Sequence, residues 1–373
     1  MNPLDDLLNE KLSQRTDAGL IRKLTTQRLP VDFFTNDYLG LARSKELFQT
    51  IESVHRDLGI QNGSSGSRLL GGNSHLIEAV EKDLGKLFRS EAALIFNSGY
   101  AANLAVLSAV PQKGDTILYD SLAHASLKDG ARLSLAARHS FLHNNLADLE
   151  QKLRSSKGKK FIVAESIYSM DGDTCPLKEI GLLAKRYDAS VILDEAHSTG
   201  VMGPGGAGYS VEHGLHDKID IRIYTFGKGM GIHGACVAGS EILIRYLINF
   251  ARPFIYTTAL SQHQVAAIRC AFSFLAENIF LQQDLRKKID LYLHGAGQLP
   301  NRTPSRSAIQ TILCDGNAAV KKLAARLHDK GFDVRPIVSP TVPKGGERLR
   351  ICLHTFNSDE EINSLTEALN SSV

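Results

Sequence analysis

A lysine flanked by glycines, in Tyr224-Thr225-Phe226-Gly227-Lys228-Gly229, closes one short apolar run, and Asp194-Glu195-Ala196-His197 closes an earlier one. An amine so placed can attack a carbonyl, and a carboxylate at a buried strand end must find a partner or be neutralised. For Asp194 a protonated pyridine nitrogen is such a partner, although a strand-end Asp taken alone is more often a helix cap or a metal ligand. His197, three residues on, is within reach of a ring hydroxyl or is simply structural. An amine for an aldehyde together with an acid for a ring nitrogen is the pair that a pyridoxal phosphate enzyme requires.

Further constellations lie upstream and downstream. Asn97-Ser98-Gly99-Tyr100-Ala101-Ala102-Asn103 follows an expected strand and enters an expected helix, where free backbone N–H groups and the helix dipole suit a dianionic phosphate; the plain alternative is an ordinary glycine turn. It is not the GxGxxG pattern of dinucleotide sites, so a nicotinamide dehydrogenase lacks its fingerprint. His124 in Ala123-His124-Ala125-Ser126 could lie over an aromatic ring or be a satisfied loop histidine. Arg348 and Arg350 fall on one face of a strand, opposite Leu349 and Ile351, placed either to fork onto a substrate carboxylate or to face solvent from an edge strand. The glycine-rich Asn62 to Arg68 run and Gly71-Gly72-Asn73 read as a flexible loop, an anion cradle or a close backbone contact.

The elements that must carry these residues are short, continuous apolar runs separated by segments of helical period. Ala93-Leu94-Ile95-Phe96, Thr116-Ile117-Leu118-Tyr119, Phe161-Ile162-Val163-Ala164, Val191-Ile192-Leu193 and Ile221-Arg222-Ile223-Tyr224 suit strands buried on both faces, with crossovers such as Leu177 to Tyr187 between them. The expected sheet is mostly parallel, and ligand groups should gather beyond the carboxyl ends of its strands, where Glu165, Asp194 and Lys228 all fall. The amino end reads as a helix from about Leu4 to Leu24 followed by an extended arm, and a long helical stretch from Glu241 through Leu293 leads out of the sheet. Beyond a polar break at Pro300 to Ser307, Ala308 to Leu313, Asn317 to Lys330, Leu349 to Leu353 and Ser358 to Leu369 read as strand, helix, strand, helix. Lys157, Lys159 and Lys160 are most simply a solvated loop.

Composition narrows the class. A chain of 373 residues with 43% hydrophobic and 22% charged residues suits a globular protein of one large and one smaller domain. A net charge of +3 without a basic, aromatic-interleaved block disfavours nucleic acid as a partner. Five cysteines, none in a CxxC pair, argue against a disulfide framework or a zinc site and for a reducing compartment, by default the cytoplasm. No apolar run approaches the ~20 residues of a membrane span, and the polar, acidic amino end Met1 to Glu10 does not read as an export signal.

Taken in order, Asn36-Asp37-Tyr38-Leu39-Gly40-Leu41, the run ending in Ser67-Arg68, Ser98-Gly99-Tyr100-Ala101-Ala102-Asn103, His124-Ala125-Ser126, Ser169-Met170-Asp171-Gly172-Asp173, Asp194-Glu195-Ala196-His197, Thr225-Phe226-Gly227-Lys228 and Pro340-Thr341-Val342-Pro343 resemble the α-oxoamine synthase family of pyridoxal phosphate enzymes. The resemblance spans nearly the whole chain. It implies an α/β, aspartate aminotransferase-like fold (PLP fold type I), with a large, mostly parallel sheet domain and a smaller C-terminal α+β domain. The corresponding division is an N-terminal helix and arm over 1–35, a large cofactor-binding domain over 36–245 and a small domain with its linking helix over 246–373.

The resemblance further implies a homodimer with shared active sites that condenses an amino acid with an acyl thioester and releases carbon dioxide. Carried onto matching positions, Lys228 would bind the cofactor aldehyde, Asp194 the pyridine nitrogen and His197 the ring hydroxyl, while His124 would stack on the ring. Ser98, Gly99 and Tyr100 would hold the phosphate, with Thr225 nearby and Thr258 reaching across from the other subunit. Glu165 and Ser169 match positions lining the cofactor pocket, and Asn36, Arg350 and Arg22 match or lie near those holding the amino acid carboxylate. No metal is implied. The Thr-Phe-Gly-Lys-Gly form and the brevity of the chain point to the biotin-pathway branch, whose substrates are L-alanine and a pimeloyl thioester of coenzyme A or of an acyl carrier protein. Members using serine with a palmitoyl thioester, members using glycine with an acetyl thioester, and a catalytically silent homologous subunit remain alternatives. The chain departs from many of that branch at Ile337-Val338-Ser339, where an arginine commonly precedes Pro-Thr-Val-Pro.

Overall fold

Strands that are apolar along their whole length need cover on both faces, and the computed structural model, which describes residues 2–59, 61–297 and 299–372, supplies it. A seven-stranded sheet comprises β1 (Ala92–Phe96), β2 (Thr116–Asp120), β3 (Ala137–Phe141), β4 (Lys160–Glu165), β5 (Ala189–Asp194), β6 (Ile221–Thr225) and β7 (Ala235–Gly239), in the order β1-β7-β6-β5-β4-β2-β3. Only β7 runs against its neighbours. Val163, Ile192 and Ile223 pack to one side with Ala102, Val106 and Leu127. Ile162, Val191 and Leu193 pack to the other with Leu149, Leu153 and Ile180. Successive residues of one strand thus enter two different cores, which is why the runs show no polar alternation.

Register decides what meets at the carboxyl edge. Glu165, the last residue of β4, stands opposite Asp194, the last of β5, so their side chains share one face at one level. The chain then turns from β1 into the helix Gly99–Ala109 and from β2 into the helix Ala125–Leu133, which pack on each other over the sheet. Two strands lie outside the runs singled out in the sequence. β3 is an edge strand with exposed Arg138 and His139, and β7 consists of small residues, Ala235-Cys236-Val237-Ala238-Gly239.

A second, three-stranded antiparallel sheet comprises β8 (Ile309–Leu313), β9 (Arg335–Ile337) and β10 (Arg348–Cys352) in the order β9-β10-β8. β10 is therefore central, and Arg348 and Arg350 are buried; the reading of solvent-facing arginines on an edge strand is corrected by that position. Val31–Asp32 pairs in parallel with Phe332–Asp333, and the Phe33 carbonyl accepts from the Cys352 amide at 2.7 Å, which delivers Asn36 to β10.

Helix boundaries depart from the expected ones for local reasons. The first helix spans Pro3–Asp17 rather than reaching Leu24, because Gly19 takes φ +64° and the Leu20 and Gly19 amides bond back to the Arg15 and Thr16 carbonyls, a Schellman ending. The expected continuous stretch from Glu241 to Leu293 is four helices, Glu241–Phe250, Arg252–Ile255, Gln262–Glu277 and Phe280–Gly295. Ala251 is extended just before the Arg252-Pro253 start, and a Ser261/Gln264 capping box restarts the chain after a loop. Among the described residues, no single helix is long and apolar enough to cross a membrane.

Candidate active site

At the carboxyl edge the Lys228 amine lies 3.0 Å from His197 Nε2. The other nitrogen of that ring, Nδ1, is 2.7 Å from the Tyr38 hydroxyl, which donates to Asn36 Oδ1 at 3.1 Å. Asn36 Oδ1 also accepts from Arg350 Nη2 at 3.0 Å. A continuous polar chain thus joins Lys228, just past the end of β6 in the large sheet, to Arg350 of the small one. Burial and the neighbouring Lys228 and Arg350 charges hold His197 well below the ordinary histidine range, so its ring is neutral. Burial likewise lowers the Lys228 amine, against the opposing pull of Asp194 and Glu165.

Asp194 is fixed on both oxygens. Oδ1 accepts from the Ala196 amide at 2.8 Å and Oδ2 from Asn103 Nδ2 at 2.8 Å. The same Asn103 nitrogen donates to Ser126 Oγ at 2.9 Å, and Ser126 Oγ lies 2.7 Å from His124 Nδ1. Because the Ser126 backbone N–H also points at Nδ1, at 3.3 Å, that nitrogen is an acceptor and the neutral ring carries its proton on Nε2. Desolvation is the main cause holding His124 below its usual range. Glu165 accepts from the His124 backbone amide, while burial and then the Asp194 charge push its carboxyl up to about 8.

Arg350 is buried and spends its remaining donors on the Ser169 carbonyl at 2.7 Å and Cys352 Sγ at 2.9 Å. No carboxylate among the described residues pairs with it. A guanidinium sealed from water without an anion is costly, so the cluster holds a cationic socket short of an anionic partner. Arg348, one strand pleat away, is neutralised by Asp171 and faces no such deficit.

The structure offers three fits to a pyridoxal-type group. The helix Gly99–Ala109 starts at Ser98, whose Oγ accepts from Ala101 N at 3.2 Å, while the Gly99 and Tyr100 amides find no acceptor among the described residues. A Cβ on Gly99 would stand 2.1 Å from Thr225 Oγ1, so this turn is kept clear of a side chain and abuts the end of β6. Buried Asp194 and the Lys228 amine complete an acid for a ring nitrogen and an amine for an aldehyde.

The expected residues divide by position. Lys228, His197, Asn36, Arg350 and Ser169 join in one hydrogen-bonded network and Asp194, His124 and Glu165 in a second, while Ser98, Gly99, Tyr100 and Thr225 stand at one strand-edge turn. Thr258 is exposed, and its carbonyl accepts from Asn97 Nδ2 of the same chain at 2.9 Å. Arg22 is exposed on the extended arm and is not brought to the cluster. Tyr38, Asn103 and Ser126 carry site contacts that the sequence reading assigned to no role, although each lay inside a quoted motif. The glycine-rich run is pinned at its Arg68 to Gly72 end. Arg68 forks onto Glu81 at 2.7 and 3.0 Å, and a Cβ on Gly72 would meet the Gly66 carbonyl oxygen at 2.5 Å, the close backbone contact among the three readings.

Known proteins resemble this chain in sequence and in shape. Residues 30–369 match the family described as aminotransferase class I and II. An 8-amino-7-oxononanoate synthase of Emericella nidulans is 38% identical over 398 residues, covering 98% of this chain and 95% of its own. A serine palmitoyltransferase from S. paucimobilis, solved with bound PLP and myriocin, has a TM-score of 0.88 at 26% identity and covers 100% of this chain and 98% of that one. An 8-amino-7-oxononanoate synthase from Francisella tularensis has a TM-score of 0.79 at 28% identity, covering 91% and 97%.

Proposed function

Because the chain belongs to the aminotransferase class I and II family, we propose that it is a pyridoxal phosphate-dependent acyltransferase joining L-alanine to a pimeloyl thioester, with loss of carbon dioxide, to give 8-amino-7-oxononanoate for biotin. The carrying observation is the buried Arg350, without an anion of its own, tied through Asn36, Tyr38 and His197 to the Lys228 amine. That chain couples a socket for an amino acid carboxylate to a depressed amine. Identity of 38% to a named synthase over nearly the full chain supports this acyl donor over the palmitoyl donor implied by the likeness in shape.

Lys228, Asp194, His197 and His124 would hold the cofactor's reactive ring, Glu165 and Ser169 would line it, and Ser98, Gly99, Tyr100 and Thr225 would hold its phosphate. When bound, pyridoxal phosphate supplies an aldehyde that takes up amines and a cationic ring that accepts electron density from the substrate Cα. Arg350 and Asn36 orient alanine by its carboxylate. Lys228, lowered by burial, is available as a free amine to take the Cα proton and later return it. His197 accepts from Lys228 and so keeps the amine aimed. His124, with its proton on Nε2, can donate to a carbonyl oxygen as the acyl donor is attacked.

A homodimer is part of the reading, with Thr258 serving a second copy's phosphate site and coenzyme A or an acyl carrier protein bearing the acyl group. Its support is the first helix, whose Leu4, Leu7, Leu8 and Leu12 form one apolar stripe that stays about half exposed in a single chain. A cytoplasmic location accords with five unpaired cysteines. The test is a panel of alanine, serine and glycine against pimeloyl, palmitoyl and acetyl thioesters. Carbon dioxide and free thiol released together from alanine and the pimeloyl donor support the assignment; turnover confined to serine with palmitoyl, or glycine with acetyl, overturns it.

A further inference from the structure

Beside His124 lies a hollow of about 480 Å³, within the roughly 300–1,000 Å³ range of small-molecule sites. Leu122, Ala123, Met170, Pro340 and Val342 give it a largely apolar wall. Two residues of opposite charge border it. Asp171 is already neutralised by Arg348. Lys128 is half-buried, its ammonium donates to the Ser121 carbonyl at 2.8 Å, and no carboxylate among the described residues forms an ion pair with it. Desolvation pulls that ammonium below the ordinary lysine range, against the opposing pull of the Glu165 and Asp120 charges, neither of which is in ion-pair contact with it.

Lys128 stands four residues after His124 at the start of the helix Ala125–Leu133, so the two project to one side. The wall segment Ser339-Pro340-Thr341-Val342-Pro343 contains no cation, nor do Ile337 and Val338 just before it. The hollow is thus mostly apolar, has the reacting histidine at its border, and holds one cation without an ion-pair partner among the described residues. A simple fatty acyl chain would gain nothing from that charge, whereas a chain ending in a carboxylate could not enter an apolar hollow without it.

We propose that Lys128 determines acyl-donor specificity by receiving the terminal carboxylate of a dicarboxylic acid monothioester, the chain lying along the apolar wall with its thioester towards His124. The proposal rests on the acyl-transfer reading above and goes beyond it by naming the residue that selects the chain end.

The test uses the holoenzyme with L-alanine and two donors, pimeloyl-CoA and heptanoyl-CoA, which share chain length and coenzyme and differ in the terminal carboxylate. Unmutated protein should prefer pimeloyl-CoA in kcat/KM, Lys128→Met should lower that preference by about tenfold or more, the weight of one charge-assisted hydrogen bond, and Lys128→Arg should retain most of it. An unchanged preference in Lys128→Met overturns the assignment. Equal losses on both donors also overturn it, since the lysine would then serve the coenzyme phosphates or the fold. No preference in the unmutated enzyme overturns it with the acyl-transfer reading intact, and turnover of neither donor removes both.

Discussion

The Asn103 side-chain nitrogen lies 2.8 Å from Asp194 Oδ2 and, through its other hydrogen, 2.9 Å from Ser126 Oγ. Asp194 can only accept, so the amide must turn its NH2 that way, and the Asn103 carbonyl oxygen is left buried without a partner. One side chain therefore positions the Asp194 carboxylate and, through Ser126, sets the tautomer of His124.

Asn103→Asp would bring a second carboxylate against Asp194 and force one of them to take a proton. Cofactor affinity should fall by about ten- to hundredfold, with Asn103→Ala less severe. Cofactor titration by visible absorbance measures this, and affinity unchanged in both variants would remove Asn103 from the site.

Gly99→Ala tests the phosphate turn. The new methyl would sit 2.1 Å from Thr225 Oγ1, an overlap costing about 1–3 kcal/mol if the turn must shift. Cofactor retention during gel filtration should drop. Thr225→Ala in the same chain should restore the melting temperature rather than the cofactor, because the offending oxygen is gone but so is a proposed phosphate contact; full retention in Gly99→Ala alone would show that the turn does not hold the phosphate.

His143 predicts a pH dependence of stability rather than of catalysis. Its ring bonds Asp120 at 2.9 Å and Asp173 at 2.8 Å. Although desolvation opposes it, these two bonds push its pKa up to about 10. A folded value raised above the unfolded one, about 6.5, stabilises fully below that lower value and loses its effect as pH rises through the higher one. The melting-temperature gap between the unmutated protein and His143→Gln should accordingly be widest in mild acid and close towards alkaline pH. A gap that widens with pH would contradict the charged pairing.

What could be read from the chain follows from where the information sits. Val191-Ile192-Leu193 and Ile221 to Tyr224 announce buried parallel strands because both faces are covered, and the switch-point rule then places Asp194 and Lys228 at one edge. The Asn103–Asp194 contact spans 91 positions and depends on how the helix Gly99–Ala109 settles over β5, which no local pattern encodes. Arg348 and Arg350 are legible as sharing a face, but their burial depends on β10 lying between β9 and β8. Arg22 sits in an arm with few contacts of its own, so nothing local fixes where it points.

The central claim is that the amine at position 228 carries the cofactor and then moves the substrate proton. Borohydride reduction of the holoenzyme followed by peptide mass mapping tests it directly. A reduced pyridoxyl group on the peptide holding Lys228, absent along with the visible absorbance band in Lys228→Ala, is the predicted result. A label on another lysine, or a Lys228→Ala protein that still turns over alanine and pimeloyl-CoA at the unmutated rate, would contradict it.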